Sequence, residues 1–79
     1  MKTLKEIKEY LKSLEKEEIT SKRGNKYEFV EVDSKTIYKL LDFKSVILGI
    51  HSVNNITFYL FTWYENDKKI EIIMKREEA

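Results

Sequence analysis

The stretch SVILGIHSVNNITFYLFTWYENDKKIEIIMKR, residues 45–76, holds three apolar runs separated by two polar dipeptides, Asn54-Asn55 and Asn66-Asp67. Asn is the non-glycine residue that best tolerates the positive φ of a two-residue primed hairpin turn. Two such turns predict a three-stranded antiparallel meander in a definite register. Val46, Leu48 and Ile50 then lie opposite Trp63, Phe61 and Tyr59, which lie opposite Ile70, Ile72 and Met74. All of these are apolar or aromatic, so their face is the expected core; a slip of one residue would turn the other set inward. That other set is mixed: Ile47, Gly49 and His51, then Phe58, Leu60, Thr62 and Tyr64, then Lys69, Glu71, Ile73 and Lys75. The middle strand, Ile56 to Tyr64, is apolar on both sides, as suits a strand with a neighbour at each edge and cover over part of each face.

Upstream, Thr3-Leu4-Lys5-Glu6 has the pattern of a capping box, in which a Thr hydroxyl takes the Glu N–H and the Glu carboxylate reaches back. Leu4, Ile7, Leu11 and Leu14 follow as one apolar stripe at helical spacing. The stripe stops at Leu14, so the helix should fray through Lys16 to Glu18. Ile19 to Lys22 and Lys26 to Val32 flank Arg23-Gly24-Asn25 and predict a hairpin, with Gly24 supplying a positive φ at the turn. Asp33 and Ser34 are N-cap residues, and Ile37, Leu40 and Leu41 recur behind them, predicting a short helix from Ser34 to about Asp42. The expected fold class is α+β: a single antiparallel sheet of about five strands, in the order N-terminal helix, hairpin, short helix and three-stranded meander, with the helices packed on the sheet. Residues 1–79 are expected to form one domain. Phe58 and Leu60, on the mixed face, are expected beneath the short helix, with a twin subunit or a partner as the other ways to cover that face.

Composition narrows the chemistry. The chain has no cysteine, which removes disulfides, thiol nucleophiles and thiolate metal sites. Its formal net charge is +1, whereas a dedicated duplex-binding protein usually carries a clear basic excess. No apolar run approaches the ~20 residues of a membrane span, and the N-terminal residues lack the apolar segment of a signal peptide; the expected location is cytoplasmic, away from membranes. Lys, Ile, Glu, Tyr, Phe and Asn are abundant, while Gly occurs twice and Pro never. AT-rich codons produce such usage, as in many viruses and mobile elements, and Lys/Glu enrichment also fits a thermophile.

His51 is the single histidine, without the second His or Cys that would help hold zinc, and no serine stands ready as its nucleophile. The carboxylate pairs Glu17-Glu18 and Glu77-Glu78 fall at element ends, and Gly24 and Gly49 are too isolated to cradle a phosphate. Gly49, within a strand, marks a bulge or a close approach. No catalytic residue, cofactor site or metal site is therefore assigned, and the chain is not expected to be an enzyme. The expected function is a small protein-binding module, in its most concrete form a virus- or mobile-element-encoded inhibitor of a host protein of the anti-defence or anti-CRISPR type. Its candidate contact residues are His51, Phe58, Thr62, Tyr64, Glu71 and Ile73 on the mixed face, with Lys22, Arg23 and Lys26 at the hairpin tip. The alternative is an RNA- or DNA-binding protein that stacks bases on exposed sheet aromatics, either Phe58 and Tyr64 beside Lys69 and Lys75 on the mixed face, or Tyr27 beside the Lys22, Arg23 and Lys26 tip.

Overall fold

A computed structural model describes residues 3–78; Met1, Lys2 and Ala79 lie outside the described residues. The elements are α1 (Leu4–Ser13), β1 (Glu17–Thr20), β2 (Lys26–Val32), α2 (Ser34–Leu41), β3 (Ile47–Val53), β4 (Ile56–Glu65) and β5 (Lys68–Arg76). Thr3 caps α1, its hydroxyl accepting the Glu6 N–H at 3.2 Å and donating to the Glu6 carboxylate at 3.1 Å. Leu14, the last of the apolar stripe, is already extended. Glu17 and Glu18, expected as a fraying helix end, instead open β1, where they pair with Phe29 and Glu28. Asp33 caps α2 by accepting the Thr36 N–H and hydroxyl, and these two bonds hold its carboxyl below the usual range.

The meander folds in the register that its turns dictate. Asn54 and Asn55 sit at φ of 51° and 66°, Asn66 and Asp67 at 49° and 65°. The pairs Leu48 with Phe61, Ile50 with Tyr59, Trp63 with Ile70 and Phe61 with Ile72 all form. The ladder runs unbroken through Gly49 and Leu60, so Gly49 marks a close approach rather than a bulge: a Cβ added there would stand 3.2 Å from the imidazole Nε2 of His51.

Strand order is β1-β2-β5-β4-β3, and β2 pairs with β5 in parallel. The sheet is mixed, which corrects the all-antiparallel expectation. The connectivity explains the difference: two hairpin reversals return β5 to the direction of β3, and the α2 crossover leaves β2 running that way too. Consecutive β2 and β3 are therefore separated by β5 and β4.

β2 meets β5 over only Val30, Val32 and the residue between them. Before Val30 it no longer pairs with β5 and departs from the plane of the meander, carrying β1 with it. The hairpin curls over the mixed face, and the Phe29 ring meets that of Phe58 edge-on at a centroid distance of 5.0 Å and an angle of 66°. Phe58 is left 3% exposed. Its cover thus comes from the hairpin, correcting the expectation of the short helix.

On the opposite face Ile7 and Leu11 of α1, Ile37 and Leu40 of α2, and Val30, Val32, Phe61, Trp63 and Met74 of the sheet form one buried cluster. Lys8 of α1 reaches Glu65 at the end of β4 at 2.7 Å. That bond, with help from the Trp63 indole N–H, lowers the Glu65 pKa below the ordinary carboxylate range. Ile50, on the same face but on edge strand β3, remains 62% exposed and outside the cluster. Among the described residues no helix is long and apolar enough to cross a membrane.

Candidate functional site

The curl converts the mixed sheet face into a concave one. Between the hairpin and the meander lies a hollow of about 360 Å³, walled by Ile19 and Tyr27 from the hairpin, by His51, Ser52 and Val53 from β3, and by Phe58, Leu60 and Ile73 beneath. Each wall residue follows from local pattern. Ile19 is the one apolar residue of β1 and pairs with Tyr27, so both face the meander once the hairpin turns over it. His51 pairs with Phe58 and Gly49 with Leu60, and the imidazole of His51 lies over Gly49, where a Cβ would crowd it.

A second, more open cleft adjoins the hollow and shares Tyr27, Ser52 and Val53 with it; Lys22, Arg23, Asn54 and Asn55 also line this cleft. The two hairpin ends are tied here, because the Asn54 side-chain amide donates to the Thr20 carbonyl at 2.9 Å. Ser21 supports the tip by accepting the Asn25 N–H on its hydroxyl at 3.1 Å, and Gly24 takes its turn position at φ 88°. The Asn54 tether gives a direct prediction. Asn54→Gly keeps the positive φ but loses the bond, and should cost about 0.5–1.5 kcal/mol, with amide exchange quickened in β1 more than in β4. Asn66→Gly, at the equivalent turn without such a tether, should be close to neutral, and urea titration of the two variants measures the difference.

Electrostatics differ from one end of the concave face to the other. The tip end carries Lys22, Arg23 and Lys26. At the far end Lys75 approaches Glu31 at 3.7 Å. Glu17 has its pKa raised there, first by partial desolvation, then by the charge of Glu31 and a hydrogen bond with it. Among the described residues no three His, Asp or Glu side chains gather as a metal ion would need.

The candidate contact residues are distributed unevenly over this geometry. His51, Phe58 and Ile73 come together in the hollow, with Phe58 as buried floor rather than exposed surface. Lys22 and Arg23 line the adjoining cleft, and Lys26 stands beside it at the start of β2. Thr62 is buried within β4. Tyr64 is exposed at the opposite end of β4, paired with Lys69. Glu71 lines a separate groove with Lys12, Lys16 and Glu28, where β2 and β5 have splayed apart. Wall residue Ile19 was not signalled by the sequence, since its meeting with the meander depends on the curl; the lone apolar position in an otherwise polar β1 is the one hint, while Ser52 and Val53 simply follow His51 along β3.

Comparison with family models, with curated proteins and with solved structures finds no match.

Proposed function

We propose that this chain is a non-enzymatic protein-binding module of the cytoplasm, acting as a single α+β domain with both helices on one sheet face and its partner docked on the other. An apolar side chain of the partner enters the hollow, and acidic groups beside it meet Lys22, Arg23 and Lys26. The observation that supports this reading is the continuity of an apolar hollow with a basic tip through Tyr27, Ser52 and Val53. A hollow of about 360 Å³ lies at the small end of ligand sites and suits a single large side chain as an anchor. Burying such a side chain is worth ~1.5–3 kcal/mol, while the rim charges act on orientation and association rate. In its most concrete form the module is an inhibitor of a host defence protein, of the anti-CRISPR type, encoded by a virus or mobile element; small size and AT-biased residue usage support that form.

Nucleic acid is the second reading, favoured by exposed Tyr27 beside the basic tip. It loses Phe58 as a stacking platform, because that ring lies under Phe29.

Capture from a lysate of the natural host distinguishes the two. With Lys22→Glu, Arg23→Glu and Lys26→Glu combined, retention of the protein partner should fall by about tenfold or more, and Tyr27→Ala should reduce it several-fold. Retention unchanged by either variant contradicts docking at this site. Loss of the retained material to nuclease, with a steep salt dependence, would favour the nucleic-acid reading instead.

A further inference from the structure

We infer that the free edge of β3 is a self-pairing surface, through which two copies of this chain join antiparallel about Ile50 into one continuous sheet. The two ends of the sheet are unlike. β1, at one end, is a four-residue strand carrying Glu17 and Glu18, short and charged in the way natural edges are blunted. β3, at the other, runs seven residues as ILGIHSV without a charge, a proline or a bulge. In a chain that is 37% charged, this edge has none of the devices that discourage strand addition.

The turn decides which groups that edge presents. Val53 and Ile56 flank the two-residue loop, and in such a hairpin the flanking pair exchanges both of its hydrogen bonds. Alternation then directs the N–H and C=O of Val53, His51, Gly49 and Ile47 toward β4, and those of Ser52, Ile50 and Leu48 outward. An antiparallel partner centred on Ile50 sets Ile50 against Ile50 and Leu48 against Ser52 of the second copy. Every outward group of the strand thereby finds a complementary one. No other centre on this strand pairs all three residues with their counterparts.

Side chains agree with that centre. Ile50, 62% exposed in the isolated chain, meets its own copy at the two-fold axis. Gly49 faces His51 of the second copy and adds no side chain there, and no charge opposes a like charge across the seam. The apolar strip also continues beyond the strand. Leu48 shares a groove with Tyr38 and Leu41 of α2, which are both exposed, Tyr38 by 63%, and this flank lies next to the seam on the helix side. A second copy is therefore the occupant to which this edge is matched. The pairing leaves the concave face open and would present two hollows on one sheet.

Sedimentation equilibrium of the whole chain tests it, expecting a mass twice the 9.5 kDa of the chain. Ile50→Lys sets two ammonium groups face to face at the axis and should return the monomer mass, with the far-UV circular dichroism unchanged because the side chain is exposed. Single cysteines report the register without interference, since the chain has none of its own. Ile50→Cys should cross-link under mild oxidation, as antiparallel pairing brings its Cα atoms to about 5.5 Å. Ser52→Cys should not, lying roughly 13 Å from its own copy along the strands. A monomer mass for the native chain at hundreds of micromolar overturns the inference, as does a dimer that survives Ile50→Lys or cross-links through position 52 in place of 50. Ile50→Lys leaves Lys22, Arg23, Lys26 and the hollow intact, so loss of dimer with retained partner capture separates this inference from the proposed function.

Discussion

Phe61→Ala should lower stability by about 3–5 kcal/mol, the cost of removing a buried ring whose surroundings relax only in part. Phe61 is 0% exposed at the centre of β4, paired with Leu48 on one side and Ile72 on the other, in the cluster that includes Ile7, Leu11, Trp63 and Met74. A domain of this length has about 4–12 kcal/mol in all, at ~0.05–0.15 per residue, so the substitution removes a large share of the total. With a urea slope near 1 kcal/mol/M for so small a protein, the midpoint should fall by about 3 M or more, or the chain should not fold. Tyr64→Ala, three positions along the same strand but 61% exposed, should stay within about 0.5 kcal/mol. Equal losses at the two sites would contradict the assignment of faces.

Phe29→Ala is the second large effect, with a different signature. Phe29 and Phe58 join the curled hairpin to the meander through one edge-on ring contact, while backbone pairing between β2 and β5 covers only the end of β2. Truncation should cost about 2–4 kcal/mol, below the full Phe→Ala range because the hairpin can settle toward the gap. The loss should also be local: amides of β1 and of β2 before Val30 should lose protection well before those of β4. A cycle combining Phe29→Ala with Phe58→Ala should give a coupling of about 0.5–1.5 kcal/mol. Additive costs would mean that the rings do not meet. Because Phe58 floors the hollow and Phe29 holds the hairpin over it, both variants should weaken partner capture, whereas Tyr64→Ala should leave it unchanged.

The contrast between these two residues shows which parts of the fold were legible in the sequence. Phe61 could be placed from sequence because the Asn54-Asn55 and Asn66-Asp67 turns fix the register of three strands, and the register then sorts nine residues onto one face. Local chemistry likewise announces both caps, Thr3 and Asp33. Phe29 was harder. The change from Tyr27 and Phe29 on one face to Val30 and Val32 on the other says that β2 is covered on both sides, but not by what. Strand direction and sheet order carry no signature in side-chain alternation, so parallel pairing of β2 with β5 was not legible, and neither was the curl that follows where that pairing stops. Ile50 shows the converse: its pattern places it on the core face, yet an edge strand extends past the cover that the cluster provides, and exposure there is a matter of position rather than of residue type. The candidate site suffers most from this. His51, Val53, Phe58 and Ile73 share a face by register, but Ile19 and Tyr27 meet them only through the curl.

The curl is thus the central structural claim, since the hollow, its continuity with the basic tip and the burial of Phe58 all depend on it. Nuclear Overhauser contacts test it most directly. The fold predicts strong contacts between the Phe29 and Phe58 rings and between the Asn54 side-chain amide and Thr20, in the same sample that shows the Leu48–Phe61 cross-strand pair. Intact meander contacts with no Phe29–Phe58 contact would mean a flat, open sheet, and would contradict both the hollow and the function proposed for it.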